Sequence, residues 1–136
     1  MPTADLADHE DRLREAPVIW LTTVNSSGQP QSSPVWFVWD GSSFLIYSRR
    51  DSPKVPNIRR NPRVSLNLDS DGEGGAIVTI EGEAKIDEGA PPANEVPAYV
   101  EKYIDRIRRL GAEPEPFGKM YSIPIKVTPS RSRVWS

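Results

Sequence analysis

The chain has 136 residues, a length that suits one hydrophobic core better than two, so residues 1–136 are expected to form one domain. It contains no cysteine and a single histidine, His9, which excludes disulfide scaffolds, thiol catalysis, cysteine-ligated clusters and multi-histidine metal centres. Lys and Arg number 17 against 19 Asp and Glu, a net charge of -2, so the molecule as a whole offers no polybasic attraction to nucleic acid or a membrane.

The longest apolar runs, Val18 to Leu21 and Val35 to Trp39, fall far short of the roughly 20 residues of a spanning helix. The N-terminus carries acids and lacks the basic-then-apolar layout of a secretory signal, so a cytoplasmic protein is expected. Prolines and glycines punctuate apolar segments throughout, as in a turn-rich β protein.

Residues 4–15 are rich in Ala, Leu, Glu and Arg, with Leu6 and Leu13 on one helical face and Pro17 beyond them, and predict a short surface helix. Val18 to Val24 and Gln31 to Trp39 read as two strands joined by the turn residues Asn25-Ser26-Ser27-Gly28. After Asp40-Gly41, Phe44 to Tyr47 adds a third strand, and 52–61 reads as a one- to two-turn helix or irregular connection. Val64, Leu66 and Leu68 alternate with polar residues, and Ala76 to Ile86 makes a long strand in which Gly82 marks a bend or bulge. Asn94 reads as the cap of a helix running to Leu110, closed by Gly111. Ile123 to Val127 supplies a sixth strand and Arg131 to Trp135 a seventh.

These elements give a mainly β, α+β architecture: a six- to seven-stranded antiparallel barrel with peripheral helices. No glycine-rich phosphate cradle of the dinucleotide or P-loop type is present. Trp20 and the inward members of Trp36-Phe37-Val38-Trp39 are expected in the core. The sharpest local feature is the basic block Arg49, Arg50, Lys54, Arg59, Arg60 and Arg63, broken only by Asp51. An acidic stretch from Asp69 to Glu88 follows, so the two blocks either compensate each other or the basic one binds an anion. Ser48, Arg49, Ser52 and Lys54 offer hydroxyls and cations together, a set suited to phosphate.

The order and spacing of Ile19-Trp20-Leu21-Thr22-Thr23-Val24-Asn25, Gly28-Gln29-Pro30, Ser33-Pro34-Val35-Trp36-Phe37, Tyr47-Ser48 and Lys54-x-x-Asn57-Ile58-x-x-Asn61-Pro62-Arg63-Val64 resemble the pyridoxamine-phosphate-oxidase-like split-barrel proteins over roughly residues 10–135. Within that superfamily the chain is most similar to the actinobacterial flavin/deazaflavin oxidoreductases, whose members use coenzyme F420, FMN or other ligands. The resemblance implies a homodimeric split β-barrel with two cofactors in clefts between subunits. It assigns Ser48, Arg49 and Lys54 to the cofactor phosphate, with Asn57 and Arg60 nearby, and Ser33, Pro34, Val35 and Trp36 to the border of the tricyclic ring. It also implies that Trp135 is contributed by the partner subunit. Where the oxidase pattern has adjacent Arg and Lys, this chain has Arg49-Arg50-Asp51-Ser52-Pro53 before Lys54, a departure that counts against FMN and against pyridoxamine phosphate oxidation.

The expected activity is therefore F420-dependent transfer of hydride between the deazaflavin and a small conjugated organic substrate. The alternatives are an FMN-binding reductase or oxidase on the same fold and a non-catalytic cofactor or haem binder. The scarcity of acid and base groups suits chemistry delegated to a cofactor. No metal, nucleic acid or membrane is expected at the site. A dimer is also expected because Trp36, Trp39 and Trp135 offer more large apolar area than a small monomer readily buries.

Overall fold

A computed structural model describes residues 6 and 9–135, and for Trp135 the backbone only. Residues 4, 5, 7 and 8 of the expected first helix lie outside the described residues. The elements in chain order are α1 (Glu10–Glu15), β1 (Ile19–Val24), β2 (Pro30–Val35), β3 (Phe37–Trp39), β4 (Phe44–Ser48), α2 (Lys54–Arg60) and β5 (Arg63–Asn67). They continue with β6 (Ile77–Ile86), a 3-10 turn (Ala93–Glu95), α3 (Pro97–Arg109), α4 (Pro114–Met120) and β7 (Ile123–Trp135). No helix among the described residues is long and apolar enough to cross a membrane.

All the ladders are antiparallel, and the strands follow the order β2-β1-β5-β6-β7-β4-β3. The two edge strands of this sheet, β2 and β3, are consecutive in the chain and separated by Trp36 alone. The sheet therefore curls until its edges meet at that residue, as in a split barrel. Gln31 to Trp39 is thus two strands, one at each edge. At the break the Tyr103 hydroxyl, from α3, accepts a hydrogen bond from the Phe37 N–H at 2.9 Å. The same hydroxyl lies 2.7 Å from the Pro17 carbonyl and 3.0 Å from that of Phe37, the acceptors open to its one proton.

The barrel interior is filled by alternate residues of its strands, among them Ile19, Leu21, Phe37, Phe44, Ile46, Leu66, Ile80 and Ile125, with Leu6 and Leu13 packed into the same core. Each such side chain contributes about 1.5–3 kcal/mol by leaving water. A second cluster lies under α3 and α4. Tyr99, Tyr103 and Ile107, spaced by four on α3, meet Tyr47 and Phe117, with Trp36, Val38 and Tyr121 packed against them.

The bulge expected at Gly82 is present as a register shift between Glu81 and Gly82, where a Cβ would stand 2.7 Å from the Thr128 carbonyl oxygen. Other expectations are corrected. Trp20 is half-buried on the face opposite Ile19 and Leu21, and its indole N–H bonds Asp69 Oδ1 at 2.9 Å. Trp39 is 5% exposed within the single chain, tilted against Phe44 at 4.6 Å and donating to Glu10 Oε2 at 2.9 Å, so it leaves no apolar surface for a partner. Asn94 does not cap α3. Val96 holds that position, Pro97 starts the helix, and Asn94 lies in the 3-10 turn against Gly118. Helix α4 has no counterpart in the sequence expectations: Pro116 and Gly118 are weak helix formers, and packing of Phe117 against Trp36 and Tyr121 outweighs them. The two C-terminal segments form one continuous strand, β7.

Candidate functional site

A groove of about 530 Å³ runs along the line where β2 passes into β3. The resemblance placed Pro34, Val35 and Trp36 here, and the structure lines the groove with all three. Tyr47 of β4, Tyr99 and Leu110 from α3 and its end, and Phe117 and Tyr121 from α4 complete the apolar walls. Trp36 is held by its own chain: its ring is parallel to Tyr103 within 1° at 4.6 Å and stacks on Phe117 at 5.3 Å, and Phe117 stacks in turn on Tyr121 at 4.6 Å. A ligand therefore meets a fixed aromatic wall. Tyr47 donates its hydroxyl proton to the Pro91 carbonyl, and burial, with the nearby Asp87 carboxylate, pushes its pKa up to about 12.

One end of the groove is polar. Ser48 at the end of β4, Arg49, Asp51 and Ser52 in the following loop, and Lys54 at the start of α2 line it. Ser48 is buried and donates to the Arg49 carbonyl at 2.9 Å, which shapes the exit from β4. Arg49 pairs with Asp51 at 3.6 Å, but both side chains are more than half exposed, so the pair holds neither firmly. Lys54 differs. Its ammonium donates to Ser52 Oγ at 2.9 Å, and no carboxylate among the described residues forms an ion pair with it. Burial holds its pKa below the usual lysine value. A half-buried cation without a counter-ion favours an incoming anion, which restores the Coulomb energy that desolvation removed.

Lys54, Ser52 and Pro53 are shared with a second polar groove of about 230 Å³, lined also by Thr23, Gln31, Ser32, Ser33 and Asn57. Ser33 thus faces this neighbouring groove, away from the apolar walls. The Asn57 amide is spent on the fold: it donates to Thr23 Oγ1 at 3.0 Å and Gln31 Oε1 at 3.1 Å, and accepts from Arg60 at 3.1 Å. Arg60 is exposed and lines neither groove. The backbone of Trp135 pairs with Ile77, and its side chain lies outside the described residues. No ion pair among the described residues joins the basic block to the acids of 69–88. The groove's Tyr47, Tyr99, Leu110, Phe117 and Tyr121 were not singled out as site residues from the sequence. The four-residue spacing of Tyr99 and Tyr103 signals a buried helix face, but nothing local shows what that face covers.

A closed aromatic wall with hydroxyls and cations at one end suits a flat ring carrying an anionic tail, so the donor set fits a flavin or deazaflavin phosphate. A family model described as pyridoxamine 5'-phosphate oxidase matches residues 6–135, nearly the whole chain. The chain belongs to the pyridoxamine 5'-phosphate oxidase family. This fold family binds flavins. Solved structures share the fold. A conserved hypothetical protein of Mycobacterium tuberculosis superposes with a TM-score of 0.74 at 26% identity, covering 100% of this chain and 85% of that one. An F420 reductase gives 0.66 at 23% identity over 90% and 94% of the two chains. The haem storage protein HutZ of Vibrio cholerae gives 0.67 at 17% identity over 99% and 96%. Proteins of this fold thus have names that point to more than one ligand chemistry, and the residues of the groove must decide between them.

Proposed function

We propose that this chain is an F420-dependent oxidoreductase that transfers hydride between the deazaflavin and a small conjugated organic substrate. The observation that carries the reading is the Lys54 ammonium, half-buried and without a carboxylate partner among the described residues, at the polar end of an aromatic groove. The likeness in fold to an F420 reductase supports it, as does the spaced arrangement of Arg49 and Lys54.

Ser48, Arg49, Ser52 and Lys54 would hold the phosphate end, and Pro34, Val35 and Trp36 would border the ring. Bound there, the deazaflavin supplies a carbon centre that accepts or gives hydride. The protein's part is to orient and to exclude water. Trp36 is fixed by its stack and so offers a wall that does not reorganise when a ring arrives. The Tyr47 hydroxyl is committed to Pro91 and stays protonated, leaving it a structural group. A haem reading finds less in the groove: among the described residues its lining contains no histidine, cysteine or methionine, the Tyr47 hydroxyl is committed to Pro91, and His9 stands before α1.

We also propose a homodimer. Strand β2 is an edge with Gln31, Ser32 and Pro34 exposed, so the second, polar groove opens beside an unpaired strand. Equilibrium titration of the purified protein with F420 and with FMN, followed by ligand fluorescence, tests the cofactor reading. Tighter binding of F420 is expected; a protein that purifies with stoichiometric FMN and ignores F420 contradicts it.

A further inference from the structure

Lys102 plays no part in the groove described above. It lines a separate groove of about 550 Å³ with Arg14 and Glu15 of α1, Trp39 of β3 and Glu101 of α3. Its Nζ donates to the Phe37 carbonyl at 2.9 Å and stands 3.8 Å from the centroid of the Phe37 ring and 5.4 Å from that of Tyr103. Both rings are fully buried, so the amine is pressed against an apolar surface with one polar acceptor. Desolvation, and then the like charge of Arg106 one turn further along α3, bring its pKa down to about 8. Glu15 and Glu101 share the groove, yet no carboxylate among the described residues forms an ion pair with Lys102. Glu10 is engaged by Arg14 at 3.3 Å and by the Trp39 indole at 2.9 Å.

We propose that Lys102 is a nucleophilic amine, a site of covalent acylation by small anionic donors of the acyl phosphate class. The cavity admits the donor, Arg14 in its lining supplies a cation for the phosphate, and the apolar floor with the like charge of Arg106 near the amine is the setting that activates a lysine. The neutral Nζ attacks the carbonyl carbon and a C–N bond forms. The C–O bond to phosphate breaks, phosphate leaves with the electron pair, and the proton released by nitrogen passes to solvent. The amide product has no charge, so the cation over Phe37 is lost at the residue that follows Trp36.

The sequence contains five lysines, Lys54, Lys85, Lys102, Lys119 and Lys126, so each is quantified separately by peptide mass spectrometry after wild-type protein is incubated with acetyl phosphate. Near pH 7 an ordinary lysine is neutral at about one part in a few thousand, whereas an amine titrating near 8 is neutral at about one part in ten. Lower basicity returns part of that gain, so Lys102 should acetylate roughly tenfold faster than the exposed Lys85 and Lys119. Its rate should level off above about pH 9 while theirs continue to climb. A Lys102 rate at or below that of the exposed lysines, or one that climbs with theirs without levelling, would overturn the proposal.

Discussion

Asn57 and Lys54 lie three residues apart on α2, and the fold treats them differently. Among the described residues the Lys54 ammonium has one hydrogen-bond partner, while the Asn57 amide binds three and fastens α2 to the β1–β2 hairpin. Asn57→Ala should therefore cost about 1–3 kcal/mol of stability by leaving Thr23 and Gln31 short of a donor, with a smaller effect on cofactor affinity per folded molecule. Urea unfolding beside a ligand titration checks this. An Asn57→Ala protein of unchanged stability that binds cofactor weakly would restore Asn57 to the ligand site. The cluster Ser48, Arg49 and Lys54 was legible in the sequence because charge density along a short segment is visible there. Asn57 and Arg60 were grouped with it by proximity in the chain, which carries no information about which atoms are already bonded. The aromatic wall was not legible, since Tyr47 and Phe117 are brought together by helix docking across seventy positions of chain.

The strands were readable from alternation and turn residues, and the helix α3 from its four-residue period. The break at Trp36 was not. Val35 to Trp39 is uniformly apolar, and what divides it is a hydroxyl from α3, more than sixty residues away. Tyr103→Phe keeps the ring against Trp36 and removes the bonds to Phe37 and Pro17, so it should cost about 1–3 kcal/mol by exposing an unsatisfied buried N–H at the seam. Calorimetry gives the loss; no change in melting would show that the barrel closes without it. Gly82→Ala tests the bulge between β6 and β7. The new Cβ would stand 2.7 Å from the backbone oxygen of Thr128, which cannot rotate away, so a loss of about 1–3 kcal/mol is expected. A neutral Gly82→Ala protein would mean that the two strands slide apart freely at this point.

At the scale of the whole molecule, pH acts through groups buried in the helix-covered cluster. Tyr47, Tyr99 and Tyr103 all have pKa values raised by burial, that of Tyr47 to about 12. An unfolded tyrosine ionises near pH 10, so above about that value the unfolded chain has released protons that the folded one still binds, and stability falls as pH rises. Tyr47→Phe should make the alkaline fall shallower in urea midpoints measured above about pH 10; an equal slope would show that Tyr47 ionises freely. Assembly is a second property of this scale. Arg131 to Trp135 pair with Ile77 to Glu81, so deleting the C-terminus would strip a ladder from the barrel, and Trp135→Ala is the cleaner probe of a shared site. A homodimer by light scattering, with cofactor affinity lowered in Trp135→Ala at unchanged mass, is the expected outcome; a monomer that binds F420 fully would remove Trp135 from the site.

The account rests on Lys54 as the cation that receives the cofactor's anion. The most direct measurement compares F420 affinity in wild-type and Lys54→Ala proteins by fluorescence titration, with melting temperatures recorded alongside. Loss of a hydrogen bond to a charged group should weaken binding by about 1.5–3 kcal/mol, roughly ten- to a hundredfold, and leave melting nearly unchanged. Equal affinity in the two proteins, or a fall in melting temperature without a fall in affinity, would contradict it.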